Sequence, residues 1–279
     1  MSRTPSDRSL WSSPSATHLP LRSGFGTHGL SALEFAALLS PVAVTVVERG
    51  STWLWILFVA TFTVLIWQRV FAEFRHRPFK PDGIVVALAA AIVLPSAMPL
   101  WQVAIVLSFG ILIGQEIFGG RGRNFLNPAT VALAFSMFAF PGQPLTEPSL
   151  AVGIAIVPGA LVLLGVGVIS WRVLVVAAGS MLLAAAIATA GIPPLATISA
   201  GFFFGLVYFA ADPVAAASTN PGRWIYGTGF GLATALLAGG DVAIMEAVVS
   251  AALLAGIFAS SIDSGLIALN VYARGRRDG

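Results

Sequence analysis

The stretch Gly119-Gly120-Arg121-Gly122-Arg123-Asn124-Phe125-Leu126-Asn127-Pro128 lies between two long apolar runs and carries three glycines, two arginines and two asparagines. Glycine lets the backbone turn sharply and approach a ligand closely, and asparagine amides donate and accept hydrogen bonds without carrying charge. Pro128 suits the first turn of a following helix. Irregular backbone at membrane depth is tolerated where protein or a water-filled cavity surrounds it. The stretch predicts a ligand-binding loop, although a simple connector between two helices explains the same residues.

Composition indicates an all-α integral membrane protein. The chain is 57% hydrophobic and 10% charged, whereas soluble domains are about 25% charged. Apolar runs of transmembrane length recur between Leu30 and Leu269. The absence of cysteine excludes disulfides, thiolate catalysis and cysteine-ligated metal clusters. The sequence pI near 9.9 reflects loop charges that fit membrane topology, so the predicted partner is a lipid bilayer and no nucleic acid.

Hydropathy predicts about ten transmembrane helices. The segments are 30–47, 52–71, 83–95, 100–118, 126–141, 150–170, 172–190, 194–211, 224–240 and 243–262. The third segment is too short to span as a straight helix and ends at Pro95, which favours a broken or re-entrant element. Residues 1–23 are rich in Ser, Pro and Thr and predict a flexible cytoplasmic tail without a signal-peptide core. Residues 24–272 then form the membrane domain, and 273–279 a basic cytoplasmic tail.

Basic residues are distributed asymmetrically across this ten-helix topology. When ends and loops are assigned alternately to the two sides, 14 of the 15 basic residues fall on one side and only Arg49 on the other. The fourteen are Arg3, Arg8, Arg22, Arg69, Arg75, Arg77, Lys80, Arg121, Arg123, Arg172, Arg223, Arg274, Arg276 and Arg277. The positive-inside rule therefore predicts that both termini and the asparagine loop are cytoplasmic. In a bacterium the corresponding location is the inner membrane.

A second polar motif lies in the other half of the chain, where Asp212-Pro213 closes an apolar helix and residues 219–227 read Thr-Asn-Pro-Gly-Arg-Trp-Ile-Tyr-Gly. A carboxylate at a membrane helix end needs a partner or water, and Arg223 is the nearest cation in sequence. An ordinary helix end and turn explain the same residues. Because each half carries an Asn-Pro turn after an apolar helix, we predict a transporter-like fold with two pseudo-repeated halves.

Acidic residues within apolar segments are candidates for ion or proton handling. Glu116 ends the fourth segment and Glu246 lies within the tenth, and these two are the stronger candidates. Glu34 and Asp263 lie near segment ends, where simple solvation accounts for them. The three histidines lie in tails or loops without metal-ligand spacing, so no metal site is predicted.

The two motifs resemble the family of the D subunit of Rnf electron-transport complexes and the B subunit of the sodium-translocating NADH:quinone reductase. The resemblance covers roughly residues 30–265. Gly114-Gln115-Glu116-Ile117-Phe118-Gly119-Gly120 is similar to the family's Gly-Lys-Glu-x-Phe-Gly-Gly, and Gly122-x-Asn124-x-x-Asn127-Pro128-Ala129 follows it. Asp212-Pro213-Val214, Thr219, Gly222-Arg223, Tyr226-Gly227 and Ser261-Ile262-Asp263 continue the match in the correct order.

The resemblance implies a membrane-embedded redox subunit that passes electrons through flavins and helps to couple them to sodium or proton movement. The asparagine loop would then hold a non-covalent flavin (riboflavin or FMN), with Asn124 and Asn127 bonding its ring or ribityl group. The protein would position the flavin and tune its potential. The candidate cofactor-binding residues are Gly119, Gly120, Gly122, Asn124, Asn127, Asp212, Thr219 and Arg223. Partner subunits carrying flavin or iron–sulfur centres are also implied.

The chain departs from the family pattern at two places. Family members carry Ser-Gly-Ala-Thr after the fifth helix, with FMN esterified to the threonine, whereas residues 141–149 read Pro-Gly-Gln-Pro-Leu-Thr-Glu-Pro-Ser. Thr146 stands in the wrong context for attachment, so covalent FMN is predicted to be absent. Gln115 replaces the family's lysine and removes a cation from the candidate site.

Two further functions remain open at this level. A small-solute channel or secondary transporter would use the same architecture, because fold alone does not fix function. A scaffold subunit without cofactor would need the helices but not the asparagines. No GxGxxG sequence lies between a strand and a helix, so direct NADH binding is not predicted.

Overall fold

The computed structural model describes residues 27–189, 199–238 and 242–275, and this part of the chain consists of helices and their connections, without strands. The all-α prediction is confirmed there. The predicted tail 1–23 and most of the tail 273–279 lie outside the described residues. The helices are α1 (Thr27–Phe74), α2 (Ile84–Val93), α3 (Leu100–Ile111), α4 (Pro128–Ala139), α5 (Leu150–Val166), α6 (Trp171–Thr189), α7 (Ala200–Gly205), α8 (Asn220–Ala238) and α9 (Ile244–Gly275).

Helix α1 reverses direction at Gly50, where φ is 68° and ψ is −159°. Glu34 pairs with Arg121, and Arg75 pairs with Glu116. If α1 were straight, Glu34 and Arg75 would lie about 60 Å apart. Their partners, Arg121 and Glu116, are only five residues apart in sequence and therefore lie within about 17 Å of each other. The two arms, residues 27–49 and 51–74, are therefore antiparallel, as the separate segments 30–47 and 52–71 predicted.

Three helical stretches are long and apolar enough to cross a membrane, namely Gly29–Phe74, Trp171–Ala188 and Ile244–Ala273. Shorter apolar helices lie between them. Helix α2 has ten residues, or about 15 Å, which is half the hydrocarbon thickness of a bilayer. Its shortness and its end before Pro95 agree with the prediction for the third segment. Helix α9 continues to Gly275, well beyond the predicted end at residue 262.

The core of the described chain surrounds α2. Residues 86–93 of this helix are all buried, and α2 packs against α1 and α4. The indole of Trp53 is fully buried and donates a 2.9 Å hydrogen bond to the carbonyl of Ala91. Large apolar side chains such as Phe58, Phe138 and Leu150 instead lie exposed on the outside of the helices. Exposed apolar and buried small residues are the pattern expected of a protein whose surroundings are lipid.

The two halves of the chain repeat one local arrangement. Helix α3 continues into a π-helical turn (Leu112–Glu116), and α7 continues into another (Leu206–Ala210). Each turn leads into a polar loop and then into a helix whose start contains Asn-Pro, at Asn127-Pro128 and at Asn220-Pro221. Single π-helical turns are frequent at functional sites. Both polar motifs of the sequence thus follow a π-helical turn.

Glycines bring α3 against the start of α4. A Cβ at Gly110 would overlap the Cβ of Ala132 and lie 2.8 Å from the carbonyl oxygen of Pro128. A Cβ at Gly114 would lie 2.7 Å from the Cα of Pro128. Small residues four apart let membrane helices approach closely. This contact fixes the position of the Asn-Pro cap relative to the π-helical turn.

Candidate functional site

The glycine-rich loop between α3 and α4 is held in shape by Asn124. Gly119, Gly120 and Gly122 have φ values of 110°, 94° and 91°, which side chains other than glycine rarely adopt. The Asn124 side chain is buried, its Oδ1 accepts a 3.1 Å hydrogen bond from the Gly122 N–H, and its Nδ2 donates a 2.7 Å bond to the Leu126 carbonyl. The Asn124 amide therefore makes its hydrogen bonds to the backbone of its own loop.

Asn127 joins the two polar motifs. Its Oδ1 caps α4 by accepting a 2.9 Å hydrogen bond from the Ala129 N–H. Its Nδ2 donates to the Tyr208 carbonyl at 3.0 Å and to the Asp212 carboxylate at 2.8 Å. Asp212 also accepts from the Val214 N–H at 2.9 Å. The structure thus brings together two predicted site residues and ties the start of α4 to the end of the second π-helical turn.

Glu34 and Arg121 form a buried ion pair beside this connection. Their side chains are 9% and 10% exposed, respectively, so the interpretation of Glu34 as a solvated residue is wrong. Burial by itself would lower the pKa of the Arg121 guanidinium, but the carboxylates of Glu34, Asp212 and Asp82 outweigh burial and raise that pKa. Arg121 is therefore held as a cation among carboxylates from three parts of the chain.

A small cavity of about 30 Å³ lies between these groups. Its polar lining comes from Glu34, Arg121, Asn127, Tyr208 and Asp212. Because one water needs roughly 10–15 Å³ of such volume, the cavity has room for about two waters. Its size suits water or a small ion and excludes a large organic ligand.

A much larger, open cleft of about 320 Å³ lies on the other side of Arg121. It is bounded by the end of α1, the connection between α1 and α2, the first π-helical turn and the glycine-rich loop. Its lining residues are Gln68, Phe71, Ala72, Arg75, Arg77, Pro78, Lys80, Asp82, Gln115, Glu116, Gly119, Gly120, Arg121 and Arg123. Five of these are cations and two are carboxylates, so the lining carries a net charge of +3. The cleft is an anion-attracting site.

Glu116 and Gln115 line the floor of this cleft. Arg75 Nη1 lies 3.4 Å from the Glu116 carboxylate, and the same guanidinium donates to the Glu116 carbonyl. The Gln115 side chain is 1% exposed, and its Nε2 donates to Glu116 at 3.2 Å. The Gln115 Oε1 atom is buried and has no hydrogen-bond partner among the described residues. An unpaired buried acceptor is costly, and the Gln115 Oε1 atom is enclosed beneath the floor of the cleft.

Thr219 and Arg223 lie in a separate cluster and line neither cavity. Asp263 accepts hydrogen bonds from Ser218 N at 2.7 Å, from Ser218 Oγ at 2.8 Å, and from both donors of Thr219. Asp263 is thus bonded within the protein. Arg223 Nε donates to the Ala217 carbonyl at 3.3 Å. Arg223 is the cation nearest to Asp212 in sequence, but none of the ion pairs among the described residues joins the two.

Glu246, the second predicted ion-handling candidate, lies away from the two cavities. It lies in the first turn of α9, where its Oε1 accepts a 3.4 Å hydrogen bond from the Leu145 N–H. Glu147 accepts from the Met245 N–H at 3.0 Å in the same region. Carboxylates suit helix N-termini because of the helix dipole. The Glu246 carboxylate therefore lies at the N-terminus of α9 and bonds the connection before α5.

The sequence interpretation did not predict that Glu34 forms a buried ion pair or that Arg75, Arg77 and Lys80 line one cleft. The sequence analysis used these three cations only to assign the membrane topology, because the positive-inside rule already accounted for them. Their shared proximity to the glycine-rich loop arises from the reversal of α1 at Gly50 and is not visible in local sequence.

Comparison with known proteins gives concordant matches. The family described as "NQR2, RnfD, RnfE family" matches residues 15–152 and 149–270. The B subunit of the Na⁺-translocating NADH-quinone reductase of Pseudomonas aeruginosa is 32% identical over 289 residues, which cover 83% of this chain and 71% of that protein. The corresponding protein of Chromohalobacter salexigens is 33% identical over 283 residues, covering 82% of this chain and 69% of that protein.

These matches extend across both polar motifs, the glycine-rich loop and the helices that carry them. The family match covers residues 15–152 and 149–270, so it includes every motif on which the resemblance in the sequence rests. The chain belongs to the NQR2, RnfD, RnfE family.

Proposed function

We propose that this chain is the membrane-embedded, flavin-binding subunit of an Nqr- or Rnf-like electron-transport complex, passing electrons across or within the membrane. The observation that carries the proposal is the open cleft of about 320 Å³ beside the glycine-rich loop. Its volume falls in the range of roughly 300–1,000 Å³ typical of small-molecule sites. The 30 Å³ cavity is ten times smaller, so the flavin belongs to the cleft.

The residues of the cleft fit a flavin in their chemistry. Phe71 and Pro78 supply apolar surface for a flat ring system. Gln115 and Glu116 form the floor of the cleft. Gly119 and Gly120 present backbone without side chains at the rim. A bound flavin supplies the electron-transfer chemistry, and the chain positions it and sets its electrostatic surroundings.

In this proposal Asn124 and Asn127 both support the flavin site indirectly, through hydrogen bonds to the protein. Asn124 keeps the glycine-rich loop in the shape that exposes Gly119 and Gly120 to the cleft. Asn127 holds the α4 cap against Asp212, which lies beside Arg121 at the cavity. We propose that both determine flavin binding through the loop, and that Thr219 and Arg223 take no part in it.

We further propose that the ion-handling group is Glu34. Glu34 lines the small cavity with Asp212 and Asn127, whereas Glu116 lines the open cleft. Arg121 lines both spaces and pairs with Glu34. A change of charge in the cleft therefore acts on the cation that neutralises Glu34, which links electron transfer to proton or sodium occupancy of the cavity.

We also propose the partners, the membrane and the topology of this subunit. It works with other subunits that carry flavin or iron–sulfur centres, in a bacterial inner membrane, with ten spans and both termini in the cytoplasm. Covalent FMN is absent from this chain, because residues 141–149 lack the attachment sequence. The charge bias of the loops and the family membership support this arrangement.

The test is to purify the protein with its partners in mild detergent, denature it and measure flavin fluorescence in the supernatant and on the chain. We expect released flavin, retained on this subunit before denaturation and lost in Asn124→Ala. Flavin that remains attached to the denatured chain would contradict the non-covalent site. The absence of flavin would reject the function in favour of a transporter or a cofactor-free scaffold.

A further inference from the structure

Helices α6 and α8 run parallel and begin at the same end of the molecule. A Cβ at Gly227 of α8 would lie 3.1 Å from the carbonyl oxygen of Val173, and a Cβ at Gly231 would overlap the carbonyl oxygen of Ala177. Because the partner residues advance by four along both helices, the two helices have the same direction. The N-terminus of a helix carries about half a positive elementary charge. The positive ends of two 19-residue helices therefore lie side by side.

Five side chains at these two helix starts form a tryptophan–arginine cluster, which consists of Trp171, Arg172, Asn220, Arg223 and Trp224. Trp171 and Trp224 meet edge to face, with their ring centroids 6.1 Å apart. The Arg172 guanidinium lies 5.2 Å from the centroid of the Trp171 ring, and its Nη1 donates a 3.2 Å hydrogen bond to Asn220 Oδ1. The cluster thus joins the first turns of α6 and α8.

The cluster lies at the start of a helix that is long and apolar enough to cross a membrane, Trp171–Ala188. Tryptophan is enriched at the level of the lipid headgroups, and Trp171 and Trp224 are 50% and 43% exposed. The neighbouring apolar side chains Val175 and Ile225 are exposed as well. The outer surface therefore changes from polar to apolar over about one helical turn, as a phospholipid does between its headgroup and its acyl chains.

The cluster is positively charged, and its cations have bonding capacity left. In the part of the chain that the structure describes, no carboxylate lies within ion-pair distance of Arg172 or Arg223. Among those residues Arg223 uses only its Nε as a donor, so both of its Nη nitrogens are available. Asp263, beside the start of α8, bonds Ser218 and Thr219 instead. Its charge offsets one of the two arginines, which leaves a positive balance together with the two helix ends.

We propose that the tryptophan–arginine cluster binds the headgroup phosphate of an anionic phospholipid from the surrounding bilayer. Guanidinium groups bind phosphate oxygens through directed, charge-assisted hydrogen bonds, and basic pockets between membrane helices suit anionic headgroups. Arg172 and Arg223 hold the phosphate, and the acyl chains lie along the exposed apolar side chains next to the tryptophans. A zwitterionic lipid fits less well, because its own cation competes for the phosphate. The site is separate from the flavin cleft, which no member of the cluster lines.

The first experiment titrates the delipidated complex in detergent with phosphatidylglycerol and with phosphatidylcholine, and measures bound lipid by native mass spectrometry. In Arg172→Gln/Arg223→Gln we expect the affinity for phosphatidylglycerol to fall at least about tenfold and that for phosphatidylcholine to change less than about twofold. Arg69→Gln is the matched control, since Arg69 is exposed but pairs with Glu73. Equal binding of the two lipids by the unaltered complex, or an unchanged affinity for phosphatidylglycerol in the double variant, would overturn the inference.

The second experiment locates the lipid with brominated acyl chains, which quench the fluorescence of tryptophans that they contact. We expect brominated phosphatidylglycerol to quench more than brominated phosphatidylcholine, and this excess to disappear in Trp171→Phe/Trp224→Phe. It should persist in Trp55→Phe/Trp101→Phe, because these tryptophans are 61% and 59% exposed but lie outside the cluster. An excess that survives in the first variant would place the lipid elsewhere and refute this site.

Inorganic phosphate separates a lipid site from a site for a soluble anion. At matched ionic strength, which keeps charge screening constant, phosphate should not displace phosphatidylglycerol, because it lacks acyl chains. Displacement by phosphate would make the cluster a site for a soluble anion and count against the lipid.

Discussion

The side-chain amide of Asn127 donates a 2.8 Å hydrogen bond to the carboxylate of Asp212, across 85 residues of sequence. The same amide caps α4 and bonds the Tyr208 carbonyl in the second π-helical turn. One side chain therefore holds the Asn-Pro cap of the first half against the Asp-Pro corner of the second. The two motifs that the sequence presents separately form a single structural unit.

Replacing Asn127 with Ala should destabilise the protein. The change removes a helix cap, worth about 1 kcal/mol, and leaves Asp212 without its charge-assisted bond, worth about 1.5–3 kcal/mol. We expect a clear fall in the thermal unfolding midpoint in detergent. Asn270→Ala is the control, because Asn270 is exposed and bonds only the Leu266 carbonyl within its own helix. Equal midpoints for the two variants would contradict the role of Asn127 as a link.

The Glu34–Arg121 pair should show strong coupling in a double-mutant cycle. Either Glu34→Gln or Arg121→Gln leaves a buried charge without its partner, which costs about 3–5 kcal/mol. The double variant should lose less free energy of unfolding than the sum of the two single variants. The exposed pair Arg69–Glu73 provides the reference cycle, with coupling of about 0.3–0.5 kcal/mol. Additive effects at Glu34 and Arg121 would argue against a buried ion pair.

Glu34→Gln should also abolish ion movement coupled to electron transfer, because glutamine cannot gain or lose a proton or neutralise a bound cation. Glu246→Gln should retain coupling, since Glu246 lines neither cavity and bonds the Leu145 N–H instead. The measurement is sodium or proton uptake by vesicles that contain the complete complex, alongside flavin content. Loss of coupling in Glu246→Gln with retention in Glu34→Gln would reverse the assignment.

The close approach of α3 and α4 should be sensitive to a single methyl group. Gly110→Ala would bring its Cβ into overlap with that of Ala132, and such overpacking costs about 1–3 kcal/mol. Gly165→Ala in α5 meets nothing within 4 Å, and it should be neutral or stabilise the helix by about 0.5–1 kcal/mol. Thermal midpoints of the two variants that move in the same direction would refute the close packing.

Much of the fold could be predicted from the sequence because hydropathy and loop charge are local properties. The segments 126–141 and 150–170 coincide with α4 and α5 within a few residues. The predicted end of the tenth segment at residue 262 was wrong, since α9 continues through Asp263, whose carboxylate is satisfied by Ser218 and Thr219. A bonded carboxylate does not need to end a membrane helix.

The candidate site was predicted less completely. Gly119 and Gly120 line the cleft, and Asn127 donates a hydrogen bond to Asp212; ligand contact by the two glycines stays a prediction. Thr219 and Arg223 were predicted to join them, but their hydrogen bonds go to Asp263 and Ala217. Proximity in sequence suggested Arg223 as the partner of Asp212, whereas the fold supplies Asn127 from the other half of the chain.

The sequence by itself determined that this protein is a helical membrane protein with two polar motifs following apolar helices, because segment length, apolar content and turn residues act locally. Only the tertiary structure decided which charges meet. The reversal of α1 at Gly50 brings Glu34 to Arg121, 87 residues away, and places Arg75 and Arg77 beside the same loop. A buried charge depends on its partner for stability, and packing between distant helices selects that partner.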